Sequence, residues 1–141
     1  MGKSSVIDLK NDTKKMIAEV KNKFNTTKGN HKTAIYDDLR AKLSADYVGY
    51  KGYYVEIISK GAKTYNDLFM PSDNKKKKRR PRNPSIRVID GKSFYAMATG
   101  YADGLSMLYD VLPKVIDRVL GKSSEILVKD GAFRKLFDRM Y

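Results

Sequence analysis

The run Met16-Ile17-Ala18-Glu19-Val20-Lys21-Asn22-Lys23-Phe24 alternates as a strand does, with residues two apart on one face. Val6-Ile7-Asp8-Leu9 reads as a preceding antiparallel strand, joined to it by a turn from Lys10 to Lys15. The polar stretch from Asn25 to Thr33 is a loop that runs into a helix. Asn30 or Thr33 is the expected cap, with Ala34, Ile35, Leu39 and Leu43 as the apolar stripe and Arg40 and Lys42 outside it. After Gly49 and Gly52, the aromatic and β-branched run from Tyr53 to Ser59 predicts a second strand. A strand, helix, strand series argues for a parallel pair joined by a crossover, and hence for an α/β unit.

Further on, Ser85 to Gly91 predicts a short strand closing on a turn, and helices fill the remainder. Ser93 is placed to cap a helix over Phe94 to Thr99, with Gly100 as its stop. Asp103 is placed to cap Leu105 to Leu112. Pro113 is expected to kink or divide that helix before Lys114 to Leu120 carries it to Gly121. Asp130 is the expected cap of a last amphipathic turn through Phe133, Leu136, Phe137 and Tyr141. These stripes read as core and dimer surface.

Between the second and third strands lies Asn74-Lys75-Lys76-Lys77-Lys78-Arg79-Arg80-Pro81-Arg82-Asn83-Pro84. Six consecutive cations followed by two prolines pack neither as a helix nor as a central strand, so the segment reads as a mobile loop or arm. The division that follows is one domain, with a core over about 3–60, a basic loop over about 71–85 and a helical part over about 93–141.

Charge changes the picture. The 141 residues carry a formal charge of +13 and the pI is about 9.8, which calls for a polyanionic partner, nucleic acid first. The basic run then reads as a clamp on the nucleic-acid backbone. No stretch approaches the roughly 18 to 20 apolar residues that span a bilayer, and no signal peptide is evident, so the expectation is a cytoplasmic protein with no membrane partner. The chain has no cysteine and one histidine, which excludes disulfides and thiolate or histidine-rich metal centres and leaves hard, oxygen-bound cations such as Mg2+.

On the alternating strand, Glu19 and Lys21 share a face, and the hairpin brings Asp8 back beside Glu19. Two carboxylates sharing a divalent cation beside an ammonium are the layout of a metal-dependent phosphodiesterase. The acid-x-lysine tripeptide alone is uninformative, because it recurs at Asp8, Asp12, Asp73 and Asp90. What distinguishes Glu19 is its apolar frame and the acid one hairpin upstream. The bland alternative is a Glu/Lys pair on the solvated face of an edge strand. Glu56, in the next strand, reads as the partner of a neighbouring lysine and not as a ligand.

The block Ile7-Asp8-Leu9, then Ala18-Glu19-Val20-Lys21-Asn22-Lys23-Phe24-Asn25-Thr26-Thr27-Lys28-Gly29, with Tyr36-Asp37-Asp38-Leu39 beyond it, resembles a family of type II restriction endonucleases. That family belongs to the PD-(D/E)xK superfamily and is associated with the interrupted palindrome GGNCC. The resemblance is most specific over residues 7 to 39, weaker around Tyr53 to Ile58, and continues as general layout to Val111 to Leu120. It implies a restriction-endonuclease-like mixed β-sheet flanked by helices, with a helical C-terminal part. It further implies that Asp8 and Glu19 bind Mg2+, that the Val20 carbonyl completes the shell, and that Lys21 orients or helps deprotonate the attacking water. Ile7 stands where the superfamily's name has proline. Family members carry a substantial segment with a helix ahead of the first metal aspartate, whereas seven residues precede Asp8 here. The expectation is either a truncated, remnant or engineered version, in which the first strand pair lacks cover on one side, or a missing helix that comes from elsewhere.

Palindromic DNA implies a homodimer with one active site per strand, and a restriction role implies a cognate methyltransferase as genetic neighbour. Candidate DNA contacts are Asn22, Lys23, Asn25, Lys28, Asn30, His31 and Lys32, the basic-run residues Lys75, Lys76, Lys77, Lys78, Arg79, Arg80 and Arg82, and Arg87. The rival functions are a non-catalytic DNA-binding protein and a structure-specific nuclease of the same superfamily acting in repair or junction resolution.

Overall fold

The computed structural model describes residues 7–120. Five strands form one mixed sheet: β1 (Leu9–Asn11), β2 (Met16–Lys23), β3 (Lys51–Ile58), β4 (Asn66–Leu68) and β5 (Ile86–Asp90). Their spatial order is β1-β2-β3-β5-β4. The central strands β2, β3 and β5 are parallel, and β1 and β4 close the two edges antiparallel. Helix α1 (Gly29–Ser44) joins β2 to β3, α2 (Gly91–Thr99) follows β5 directly, and α3 (Gly104–Leu120) follows α2.

The period-two pattern of the central strands sorts the core into two layers. Met16, Ala18, Tyr53, Val55 and Ile89 face α2 and pack with Phe94, while Ile17, Tyr54 and Ile86 face α1 and pack with Tyr36, Leu39 and Phe69. Parallel strands need cover on both faces, and these two helices supply it. Leu9 on β1 is nevertheless 43% exposed. An apolar cleft of about 240 Å³ opens between β1, β2 and the Phe94, Tyr95 and Ala98 side of α2.

Helix boundaries depart from expectation at three points. Helix α1 starts at Gly29, with Lys28 in the cap position and no side-chain cap; Thr33 instead turns its hydroxyl onto the Asn30 carbonyl at 2.8 Å. Its buried stripe is Thr33, Tyr36 and Leu39, rotated so that Ala34 is exposed. Helix α2 is capped by Asp90, whose carboxylate accepts the Ser93 N–H at 3.0 Å, because an aspartate at the end of β5 reaches the orphan amide three residues on. Gly100, at φ 78°, ends that helix as expected, and Lys14 adds its ammonium to the Met97 carbonyl at 2.5 Å, favourable charge at a helix C-terminus. Asp103 immediately precedes α3, which runs through Pro113 undivided; one missing amide removes one bond from the ladder, and the bonds on either side carry the helix across. The turn expected after Asp130 lies outside the described residues.

Strand β4 was not expected. Asn66-Asp67-Leu68 is too short and polar to alternate, and it becomes a strand by pairing on the free edge of β5, as edge strands do.

The basic run is not a free arm. Arg80 closes a two-pronged pair on Asp37 of α1, Nε to Oδ1 at 2.9 Å and a terminal nitrogen to Oδ2 at 2.8 Å. The neighbouring Tyr36 donates its hydroxyl to the Pro81 carbonyl at 2.6 Å. Ser72 bridges to Arg79, and Asp73 accepts the Lys75 and Lys76 amides, which holds its carboxyl below the usual range. The segment is therefore a small hairpin folded against the start of α1. Asn74 lies so close to Gly29 that a β-carbon there would sit 2.6 Å from its amide oxygen.

Two outcomes follow from this packing. A β-carbon on Gly91 would lie 2.6 Å from the Ile57 carbonyl oxygen and 2.7 Å from its Cα, so Gly91→Ala should cost about 2–3 kcal/mol in urea unfolding, since neither backbone can yield cheaply. Asp37→Ala removes an exposed pair and should shift stability by less than about 1 kcal/mol, while trypsin cuts the 75–82 segment several-fold faster than in wild type. An unchanged digestion rate would mean that Arg80 does not hold the hairpin.

Candidate active site

The hairpin register pairs Leu9 with Ala18 at the end of the ladder, and Asp8 is the residue just ahead of β1. The Asp8 carboxylate is anchored there, its Oδ2 accepting the Val20 N–H at 2.8 Å. Glu19 and Lys21 both project toward the α1 side of the sheet, the face of Ile17, as alternation requires. The Lys21 ammonium lies 3.2 Å from Glu19 Oε1, with 34% of the lysine and 23% of the glutamate side chain exposed. Glu19 and Lys21 therefore form a partly open ion pair on β2, and Asp8, just ahead of β1, is bonded to the backbone of the residue between them.

Beyond β2 the chain turns back over this cluster. Thr26 fixes the turn, its backbone N–H and hydroxyl both donating to the Lys23 carbonyl. Lys21, Thr26, Thr27, His31, Ala34 and Ile35 line a cleft of about 300 Å³. The structure thus gathers the strand, the loop and the first turn of α1 around Lys21. Among the expected DNA contacts, Lys23, Asn25, Lys28, Asn30 and His31 are exposed and Lys32 is half-buried, whereas Asn22, also exposed, shares the strand parity of Val20 and so belongs to the α2 face of β2. Through the contact of Asn74 with Gly29, the basic hairpin continues the same surface, with Lys75, Lys76, Lys77, Lys78, Arg79 and Arg82 exposed.

Two arginines are placed differently. Arg80 spends its guanidinium on Asp37. Arg87, paired in register with Tyr53, belongs to the α2 face and bonds the side chain and carbonyl of Asn66. It is not brought to Glu19 and Lys21.

The floor of the site is built across the sheet. Glu19 pairs in register with Tyr54, and Lys21 with Glu56, which pairs in turn with Asp90. Glu56 is 7% exposed, and its observed partner is not a lysine: the Tyr65 hydroxyl donates to its Oε1 at 2.8 Å. Tyr65 also gives its backbone N–H to Asp90 at 2.9 Å. Burial, then the bond to Glu56, pushes the Tyr65 hydroxyl far above its ordinary ionisation range, so it stays a donor. No sequence signal marked Tyr65, because it lies in a connecting segment. Tyr54 and Thr27 read only as strand and loop residues.

For a divalent cation the donor set is suitable in kind. Mg2+ takes hard oxygens, commonly one or two carboxylates with several waters retained; Asp8 and Glu19 are adjacent acids, and the anchored Asp8 cannot swing away without losing the Val20 amide. Among the described residues no group of three or more histidine, cysteine or acidic side chains is arranged to hold a metal, so solvent would fill the remaining positions. No helix among the described residues is long and apolar enough to cross a membrane.

Comparison with known proteins shows which family the chain resembles as a whole. The chain is 38% identical over 148 aligned positions to the type II restriction enzyme Eco47II of Escherichia coli, covering all of this chain and 62% of that protein. It is 28% identical over 139 positions to the type II restriction enzyme Sau96I of Staphylococcus aureus, covering 95% of this chain and 51% of that one. The chain spans between about half and three fifths of the length of these curated relatives. No solved structure matches it. The family model for Eco47II restriction endonuclease matches residues 2–121, and with a restriction-endonuclease-like mixed sheet flanked by helices, the chain belongs to the Eco47II restriction endonuclease family.

Proposed function

We propose that this chain is the catalytic part of a Mg2+-dependent type II restriction endonuclease, hydrolysing phosphodiester bonds at a specific double-stranded DNA site of the GGNCC type. The observation that carries the reading is the Asp8 carboxylate, fixed at 2.8 Å by the amide of Val20, the residue next to Glu19. Family membership and a charge of +13 support it. Asp8, Glu19 and the Val20 carbonyl would hold Mg2+, which when bound supplies an activated water and charge neutralisation at the phosphate. Lys21 orients the attacking water in the cleft beside Glu19 and places its positive charge where negative charge develops on the phosphorane-like transition state. Thr26, Thr27 and His31 shape the wall against which the phosphate backbone is seated. The lysines of the hairpin hold neighbouring phosphates, displacing counterions as they do so.

Cutting both strands of a palindrome requires a two-fold assembly, so the active form is a homodimer. The α3 stripe of Met107, Leu108 and Val111, at 43%, 44% and 50% exposure, supports that assembly, and a methyltransferase gene is the expected neighbour.

Incubation of the protein with plasmid and phage DNA, with Mg2+ or EDTA, tests the reading. Discrete Mg2+-dependent fragments are expected, with Glu19→Ala and Lys21→Ala each slowing cleavage by about a hundred- to a thousandfold. Salt-sensitive binding without cleavage would show a non-catalytic DNA-binding protein. Cutting confined to branched DNA, indifferent to sequence, would show a structure-specific nuclease. In the same preparations, replacing Lys75 to Lys78 by glutamine should flatten the dependence of log affinity on log salt by about 0.9 for each phosphate no longer neutralised. A parallel salt line would remove the hairpin from the DNA interface.

A further inference from the structure

Tyr54 is the residue in the site whose bonding is left incomplete. It is fully buried, its ring stacked on Phe69 at 4.8 Å and 16°, so neither face nor edge gives it freedom to turn out to solvent. Its hydroxyl has no hydrogen-bond partner among the described residues. Such an orphan is rare, because an unmade bond on a buried hydroxyl costs more than a made one contributes. The hydroxyl is not in an apolar hole. Tyr54 is the register partner of Glu19 and lies on the same face of the sheet. The Thr27 side chain is beside it, with the Glu56 and Glu19 carboxylates as further neighbours. Its O–H has no acceptor engaged, while the Lys21 ammonium donates to Glu19 at 3.2 Å.

We propose that Tyr54 is a positioning residue for Glu19, its hydroxyl donating to the Glu19 carboxylate in the conformation in which that carboxylate receives the divalent cation. The inference rests on the nuclease reading above and adds to it the residue that sets the orientation of its second acid. Tyr54 touches neither DNA nor cation. It acts through Glu19, as outer partners of metal ligands do. The bond replaces the contact with Lys21, so one rearrangement orients the ligand, releases the ammonium toward the water and satisfies the orphan hydroxyl.

Tyr54→Phe keeps the ring and its stack on Phe69 and deletes only the hydroxyl. The cation-free variant should melt at or above the wild-type temperature, since an unpartnered buried group has been removed. Mn2+ binding, followed by its electron paramagnetic resonance signal in the absence of DNA, should weaken by about ten- to a hundredfold. Added to Glu19→Gln, the substitution should cost nothing further. Mn2+ affinity equal to wild type in Tyr54→Phe would overturn this inference alone. Wild-type protein that binds no Mn2+ would overturn the nuclease reading and this inference with it. A lower melting temperature with full Mn2+ affinity would assign the hydroxyl a purely structural role and overturn the proposal.

Discussion

The register of β2 is the constraint on which the rest depends. With Met16 and Ala18 turned to α2, Ile17, Glu19 and Lys21 must face α1. A slip of one residue would drive a carboxylate and an ammonium into the apolar layer under α2 while exposing the residues that fill it, so burial on both faces holds the register. The same constraint supplies chemistry. Glu19 and Lys21 are charged residues on a strand one position from the sheet edge, close enough to it for the short β1 to deliver Asp8 and for the following loop to fold back over them. Charge is tolerated at these positions because the cleft stays open to water, and both side chains remain about a quarter to a third exposed.

The backbone organisation was legible in the sequence wherever burial imposes a period. β2, β3 and β5 follow alternation or β-branched runs; the first hairpin exists, but its strand is Leu9–Asn11 and not Val6–Leu9, because Lys10 and Asn11, read as turn, pair with Ile17 and Met16. Legibility failed where one residue's role is decided by a partner distant in sequence. β4 exists because β5 has a free edge. Glu56 is satisfied by Tyr65, which no local pattern connects to it. The basic run looked like an arm because like charges repel and prolines break ladders, both true locally. Arg80 and Pro81, however, find Asp37 and Tyr36 more than forty residues back. Those two residues stand in the Tyr36-Asp37-Asp38-Leu39 block that carried the family resemblance, and the fold gives that block a physical purpose: its first two side chains clasp the hairpin and Leu39 fills the core.

The proposed site shows its acids and lysine in the sequence but not its floor. Asp8, Glu19 and Lys21 announce themselves as charges in or beside an apolar frame. Tyr54 does not, because an aromatic residue on a central strand is the ordinary occupant of such a position, and only the register across to Glu19 and the orphaned hydroxyl set it apart. Residues that complete a site from the next strand carry no signature of their own.

The clasp on α1 also bears on the entropy of recognition. A run of six cations free in solution would have to surrender its conformational freedom on meeting a duplex, and that loss would offset much of the electrostatic gain. Here the loss has already been incurred during folding, offset by the Arg80 fork, the Tyr36 bond and the turn around Asp73. On the proposed function, the cationic surface would meet DNA preformed, so that a duplex would be accepted or refused on shape as well as on charge, before any base edge is touched.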